Sequence, residues 1–165
     1  MNFEDFIIPP KKIRAEKWQI GDKIINDIKE DGIVLLFVSD YRGADGDAES
    51  QDFTGVRREF YKLSQLDFDI PVIDLGDLVS GRTIHDSHYI LQEVLSACHY
   101  KNAIPVIVGG SNDLAVSLFS ALNFHQNNIN YTQISNVVSL KQDEEIHESN
   151  FLSKILGSKN FSIKN

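Results

Sequence analysis

The apolar residues of this chain fall into two kinds of pattern. Ile33–Val38 (IVLLFV), residues 70–73 (IPVI) and residues 103–108 (AIPVIV) are short runs without polar alternation. Such runs, apolar on both faces, predict parallel strands buried between helices. Elsewhere the apolar residues recur at helical spacing. Ile90, Leu91, Val94, Leu95 and Cys98 form the clearest helix, with Asp86 or Ser87 as its cap. Leu114, Leu118, Phe119 and Leu122 predict another, capped by Ser111 or Asn112. Residues 54–65 predict a third, with Thr54 as cap and Val56, Phe60 and Leu63 facing inward. Ile24, Ile25 and Ile28 suggest a short amphipathic helix over residues 22–29, and Phe151, Leu152 and Ile155 a short one in the tail. Residues 131–140 (YTQISNVVSL) have strand-forming composition. Strands alternating with helices imply right-handed βαβ units. The expected class is α/β, a three-layer α/β/α arrangement around a mostly parallel sheet. Residues 1–165 are expected to form a single partial domain, with 1–20 an irregular lead-in and 141–165 a helical tail.

Composition narrows the classes of function. The 165 residues carry 16 Lys+Arg against 24 Asp+Glu, a net charge of −8. There is no basic excess to track phosphates, so nucleic acid is not an expected partner. The longest clean apolar run is far shorter than a bilayer-spanning helix, so no membrane insertion is expected. Glu4 and Asp5 sit where a signal peptide would be positive, and the single cysteine, Cys98, suits a reducing compartment. A cytoplasmic location is the expectation.

In a parallel sheet, ligands gather at the carboxyl ends of strands. The loops to search are therefore residues 39–52, residues 74–77, the turn Gly109, Gly110, Ser111, Asn112 and Asp113, and the residues after Ile134. The glycine turn joins a strand to a helix, where free N–H groups can hold an anion. It lacks the lysine of a phosphate-binding Walker loop and the third glycine of a dinucleotide fingerprint. Two glycines and a cap also describe an ordinary βα turn. His85 and His88, three residues apart, can share a metal only with a further ligand from elsewhere. Asp74 and Asp77 offer carboxylates at a strand end, or turn contacts. Cys98 lies on an apolar stripe and reads as core, and residues 141–145 read as a solvated face. No Ser/His/Asp or Cys/His set assembles from spacing.

Taken in order, four stretches resemble the arginase superfamily, the ureohydrolases. These are IVLLFVSDYRGADGD, the segment Gly55-Val56-Arg57-Arg58-Glu59-Phe60-Tyr61-Lys62-Leu63, the stretch Ile73-Asp74-Leu75-Gly76-Asp77, and Ile104-Pro105-Val106-Ile107-Val108-Gly109-Gly110. The tyrosine and leucine after the paired arginines, with Gly-Gly-Ser-Asn-Asp-Leu, look most like a formimidoylglutamase-type branch. The match covers roughly residues 30–140, and a ureohydrolase domain is close to twice this length.

The resemblance implies two Mn²⁺ ions that activate a water, and here the sequence departs from it. Asn112 stands where the family has its first histidine ligand. Ser135, Val137 and Ser139 stand in its Asp-Ala-His-x-Asp segment. Valine cannot coordinate a metal, and serine and asparagine are weak neutral donors. The remaining family ligands would lie beyond residue 165. The expectation is an arginase-like half-sheet without its metal centre. It has no catalytic residues, no cofactor and no metal ligands, and acts as a binding or scaffolding protein. Its unpaired edge invites a second copy or a protein partner. The alternative is an active formimidoylglutamase-type hydrolase cleaving a linear amidine C–N bond with Mn. It would recruit Asp113, Asp143, Glu144, His147 or the His85/His88 pair. A doubly wound domain binding a small anion at the glycine turn is the third reading.

Overall fold

Strand β2, Ile33–Val38, is the spine of the molecule: its last five residues are all buried. The computed structural model describes residues 3–44, 51–65, 69–125 and 129–158. In chain order the elements are β1 (Ile7–Ile8), β2, α1 (Thr54–Tyr61), β3 (Val72–Leu78), α2 (Ile84–Tyr100), β4 (Ile104–Val108), α3 (Ala115–His125) and α4 (Phe151–Leu156), with short 3-10 turns between some of them. The sheet runs β1-β3-β2-β4, with β2 parallel to both β3 and β4 and only the two-residue β1 antiparallel. This is the mostly parallel α/β sheet that the apolar runs predict. Residues 45–50 of the expected acidic loop and 159–165 of the tail lie outside the described residues.

Alternation along β2 sorts the core into two layers. Val34, Leu36 and Val38 pack with Ile73, Leu75 and Leu78 against Ile90, Leu91, Val94, Leu95 and Cys98 of α2. Leu35 and Phe37 face the other way, toward Phe53 and Phe60. One irregularity sets what β3 offers each layer. Leu35 pairs with Asp74 but Leu36 pairs with Gly76, so β3 carries one extra residue there. The bulge needs Gly76, which has φ +108 and no room for a Cβ against the Ile8 carbonyl.

Several expected elements differ. Residues 22–29 form no helix. Ile25 instead bridges Ile73, with Asp74 N–H donating to its carbonyl at 2.9 Å, because the edge of β3 beyond β1 still has backbone groups to satisfy. Helix α1 ends at Tyr61 and is rotated from the expected face. Arg57 and Tyr61 are buried while Val56 and Leu63 are exposed. Its first turn is held by Asp52, whose Oδ1 accepts from Thr54 N and Oγ1. The cap of α2 is Thr83, one turn earlier than expected, in a reciprocal box with Asp86. The turn Asn112–Leu114 precedes α3, with Ser111 at its start. Strand β4 is only half buried: Ile104 is 63% and Val106 38% exposed. Residues 131–140 are not a strand, since no neighbouring strand pairs with them, and Ile134 is 99% exposed. Helix α4 forms as expected and packs Phe151 and Ile155 on Phe119. Among the described residues, no helix is long and apolar enough to cross a membrane.

Candidate functional site

The carboxyl ends of β2 and β4 bring together two of the sequence's candidate loops. Gly109 (φ +89) and Gly110 (φ +76) turn the chain out of β4. A side chain at Gly109 would collide with the Phe53 ring, and one at Gly110 with Leu114, so both glycines serve close packing. The turn then meets the β2 loop: Ser111 N–H donates to the Asp40 carbonyl at 3.1 Å. Ser111 is buried and Asn112 exposed.

Asp113 follows, fully buried. Its Oδ2 lies 2.8 Å from His88 Nε2, and His88 Nδ1 lies 2.6 Å from Ser117 Oγ. Asp113 Oδ1 has no partner and faces Gly43, where any Cβ would overlap it. Gly43 is pinned from outside by Glu148 N–H, which donates to its carbonyl at 2.8 Å. Three elements thus converge on a carboxylate satisfied on one oxygen only. Ser117 is also fully buried, so this Ser-His-Asp row presents no nucleophile to solvent.

Beside it, Arg42 staples the β2 loop to the start of α2. Its Nε and Nη2 donate to Asp40 Oδ1 and Oδ2 at 2.9 and 2.6 Å. Its other bonds reach the carbonyls of Arg82 and Thr83 and the Ser87 hydroxyl. Burial alone would raise the Asp40 carboxyl, but hydrogen bonds from Arg42 and Ser87 outweigh it and hold it below its ordinary range.

Asp74 and Asp77 converge on the opposite layer. Arg57 Nε donates to Asp74 Oδ2 at 2.7 Å and Nη2 to Asp77 Oδ1 at 3.2 Å. Tyr61 Oη and Gly76 N–H also donate to Asp74, at 2.9 and 2.8 Å. The guanidinium sits 4.1 Å from the Phe37 ring centre. Burial and the Asp74 charge push the Tyr61 hydroxyl far up. Every strong donor and acceptor here is used, which makes the cluster a structural clamp.

The remaining candidates scatter. His85 is on the surface, 3.3 Å from Glu145, so it shares nothing with the buried His88. Asp143, Glu144 and His147 lie on no helix; His147 Nε2 is 3.4 Å from Asp143, and Lys154 Nζ donates to the carbonyls of Asp143 and Glu144. Residues 141–145 are exposed, as expected. Cys98 is buried in the core and burial raises its thiol to about 11. Among the described residues, no three His, Cys, Asp or Glu side chains converge to hold a metal ion. Ser135 and Val137 stand exposed on an irregular stretch, while Ser139 is buried with its carbonyl accepting from Ser153 N–H. None of these positions, nor Asn112, carries an imidazole or a carboxylate. Sequence reasoning named His88 and Asp113 separately but missed their pairing, Ser117, and the Asp40–Arg42 staple. The only signal for the staple was an Asp-x-Arg spacing at a strand end.

This arrangement of elements recurs in solved structures. Trypanosoma cruzi formiminoglutamase, solved with Mn2+2, superposes with a TM-score of 0.72 at 17% identity, over 87% of this chain and 54% of its own. An arginase-superfamily protein from the same organism gives 0.67 at 18%, over 81% and 49%. The fold is that of the arginase superfamily. Bacillus subtilis formimidoylglutamase agrees, with 0.62 at 18% identity over 86% and 49%. The chain spans about half the length of these structures, and at such identities the likeness is one of fold. No family model and no curated protein matches the sequence.

Proposed function

We propose that this arginase-fold chain lacks a working binuclear manganese site and acts in the cytoplasm as a non-catalytic binding or scaffolding protein, as an oligomer or with a protein partner. The observation that carries the reading is the fate of the metal-site positions. By the resemblance, Asn112, Ser135, Val137 and Ser139 stand at ligand positions, and none of them supplies an imidazole or a carboxylate; Val137 supplies no donor at all. Asp113, the carboxylate next to Asn112 in sequence, is already bonded to His88. The test is metal content by mass spectrometry, before and after Mn²⁺ loading and desalting. The expected result is no retained manganese and no hydrolysis of formiminoglutamate, agmatine or arginine; near-stoichiometric Mn would overturn the proposal.

A second reading, an active formimidoylglutamase-type metallohydrolase, is favoured by one feature. Asp113 Oδ1 is a buried carboxyl oxygen with no hydrogen-bond partner. Of the set this reading would recruit, only His88 lies beside Asp113, so His85, Asp143, Glu144 or His147 would have to move to complete a site. A metal that binds only the folded state raises its melting temperature. EDTA should therefore lower the melting point under this reading and leave it unchanged under the first.

A further inference from the structure

Charge is not spread evenly over this acidic chain. Residues 11–23 hold five of the 16 Lys+Arg (Lys11, Lys12, Arg14, Lys17 and Lys23) against two of the 24 Asp+Glu, Glu16 and Asp22. The remainder is therefore more negative than the −8 of the whole chain. All five cations are exposed, and none makes an ion pair among the described residues. Lys29, Arg42, Arg57 and Lys62, by contrast, each pair with a carboxylate. Unpaired charge of one sign, on a chain of the other sign, favours an oppositely charged partner at that place.

The basic strip is also held in shape. It runs beside α1, with Lys11 near Asp52 and Thr54 at the start of the helix and Lys23 near Gln65 past its end. Between these ends, Lys12 and Arg14 line an open groove of about 530 Å³, together with Gly21 and Asp22. Gln65 fastens the turn that follows. Its backbone N–H donates to the Trp18 carbonyl at 2.9 Å, and its Nε2 donates to the carbonyls of Lys17 and Gln19 at 2.7 and 3.1 Å. That turn presents Trp18, the chain's one tryptophan, 59% exposed. A turn already ordered loses little freedom on binding. Tryptophan and arginine are also enriched among the anchors of protein interfaces.

We infer that this strip docks an acidic polypeptide segment, with carboxylates over Lys12, Arg14 and Lys17 and an apolar side chain against Trp18. The charge beyond the strip favours a polypeptide over a membrane or a nucleic acid. A flat anionic bilayer or a long polynucleotide overhangs the strip and meets the acidic remainder. A short segment stays on the strip, and charges more than about 8 Å away are screened at physiological salt. The inference supplies a partner class for the binding reading above and rests on that reading.

Trp18 is its own reporter, since no other tryptophan contributes to the emission. A short synthetic peptide of Glu and Asp with one central Leu should shift that emission to the blue and saturate. Binding should weaken strongly between about 50 mM and about 500 mM salt. Lys12→Glu combined with Arg14→Glu should weaken it on the order of tenfold or more. The melting temperature should stay unchanged in that variant, because both side chains are exposed and unpaired. Trp18→Ala, read by anisotropy of a labelled peptide, should weaken binding by a similar factor. No saturable response to the acidic peptide overturns the inference, as does binding that the double substitution leaves unchanged. Equal or tighter binding of phosphatidylserine vesicles or of oligothymidylate overturns it as well. Peptide binding by a chain that also retains stoichiometric manganese would overturn the metal-free proposal and leave this surface standing. Neither peptide binding nor manganese would do the reverse.

Discussion

Two buried carboxylates, one on each side of the sheet, behave differently. Asp74 receives bonds from Arg57, Tyr61 and Gly76, and its cation is itself shared with Asp77 and stacked on Phe37. Asp113 receives one, from His88, and keeps an oxygen unpaired against Gly43. Both are fully buried. The first is a closed network, in which each charge is held by its neighbours and nothing further fits. The second is held from one side only, at the strand end where ligands of parallel sheets gather. A buried polar atom without a partner is rare in a folded protein, so the contrast separates a fully satisfied clamp from a carboxylate with one oxygen left unpaired.

The largest effect should come from opening the clamp. Arg57→Ala leaves Asp74 buried without its cation, which costs about 3–5 kcal/mol for a buried pair. Urea unfolding should show this as a large drop in midpoint. Asp113→Asn should be milder, about 1.5–3 kcal/mol, the range for one charge-assisted bond. Equal losses at the two sites would remove the distinction between them. If Asp113→Asn instead raised stability, the unpaired oxygen would be the dominant strain at the second site.

Next in size is the wall of that second site. Gly43→Ala places a methyl group on Asp113 Oδ1. Overpacking of this kind costs about 1–3 kcal/mol. Asp113→Ala should relieve the clash, so the double variant should be more stable than the sum of the single effects predicts. Additive losses would show that Gly43 is constrained by its own backbone and not by the carboxylate.

How much of this was legible in the sequence depends on the range over which each feature is decided. The β2, β3 and β4 runs and the α2 stripe are local apolar patterns, and the structure keeps all of them. Helix α1 was legible as a helix but not in its facing. Periodicity places Val56, Phe60 and Leu63 inward; Phe60 does pack toward Leu35 and Phe37, but the paired carboxylates on β3 draw Arg57 and Tyr61 in and leave Val56 and Leu63 exposed. A bulge at Gly76 puts both carboxylates on that side, and one glycine in a strand does not announce which residue it shifts. Residues 22–29 and 131–140 failed for a related reason, because their conformation depends on whether a neighbouring strand is present. The turn of Gly109 to Asp113 does follow the carboxyl end of β4, as the apolar run implied. The pairing of His88 with Asp113 across 25 residues was not visible in spacing.

The smallest expected effect concerns the staple beside Asp113, and its sign can be worked out. Asp40 is held below its ordinary carboxyl range in the folded chain, because Arg42 and Ser87 favour the ionised form more than burial disfavours it. A group with a depressed folded value contributes its stability above the unfolded value and loses it as pH falls through the folded one. Stability should therefore decline on acidification below about pH 4, as the unfolded chain takes up protons that folded Asp40 resists. Asp40→Asn should lower stability at neutral pH and flatten that acid limb. The effect should be modest and weaken with added salt, since the Arg42 side chain is 40% exposed and its charge is partly screened. Urea unfolding of both proteins from neutral pH to about pH 3 measures the difference in slope. An unchanged acid limb in Asp40→Asn would place the titrating carboxylate elsewhere. The Asp40–Arg42 pair would then only position the loop over Gly43 and Asp113, through geometry and not through charge.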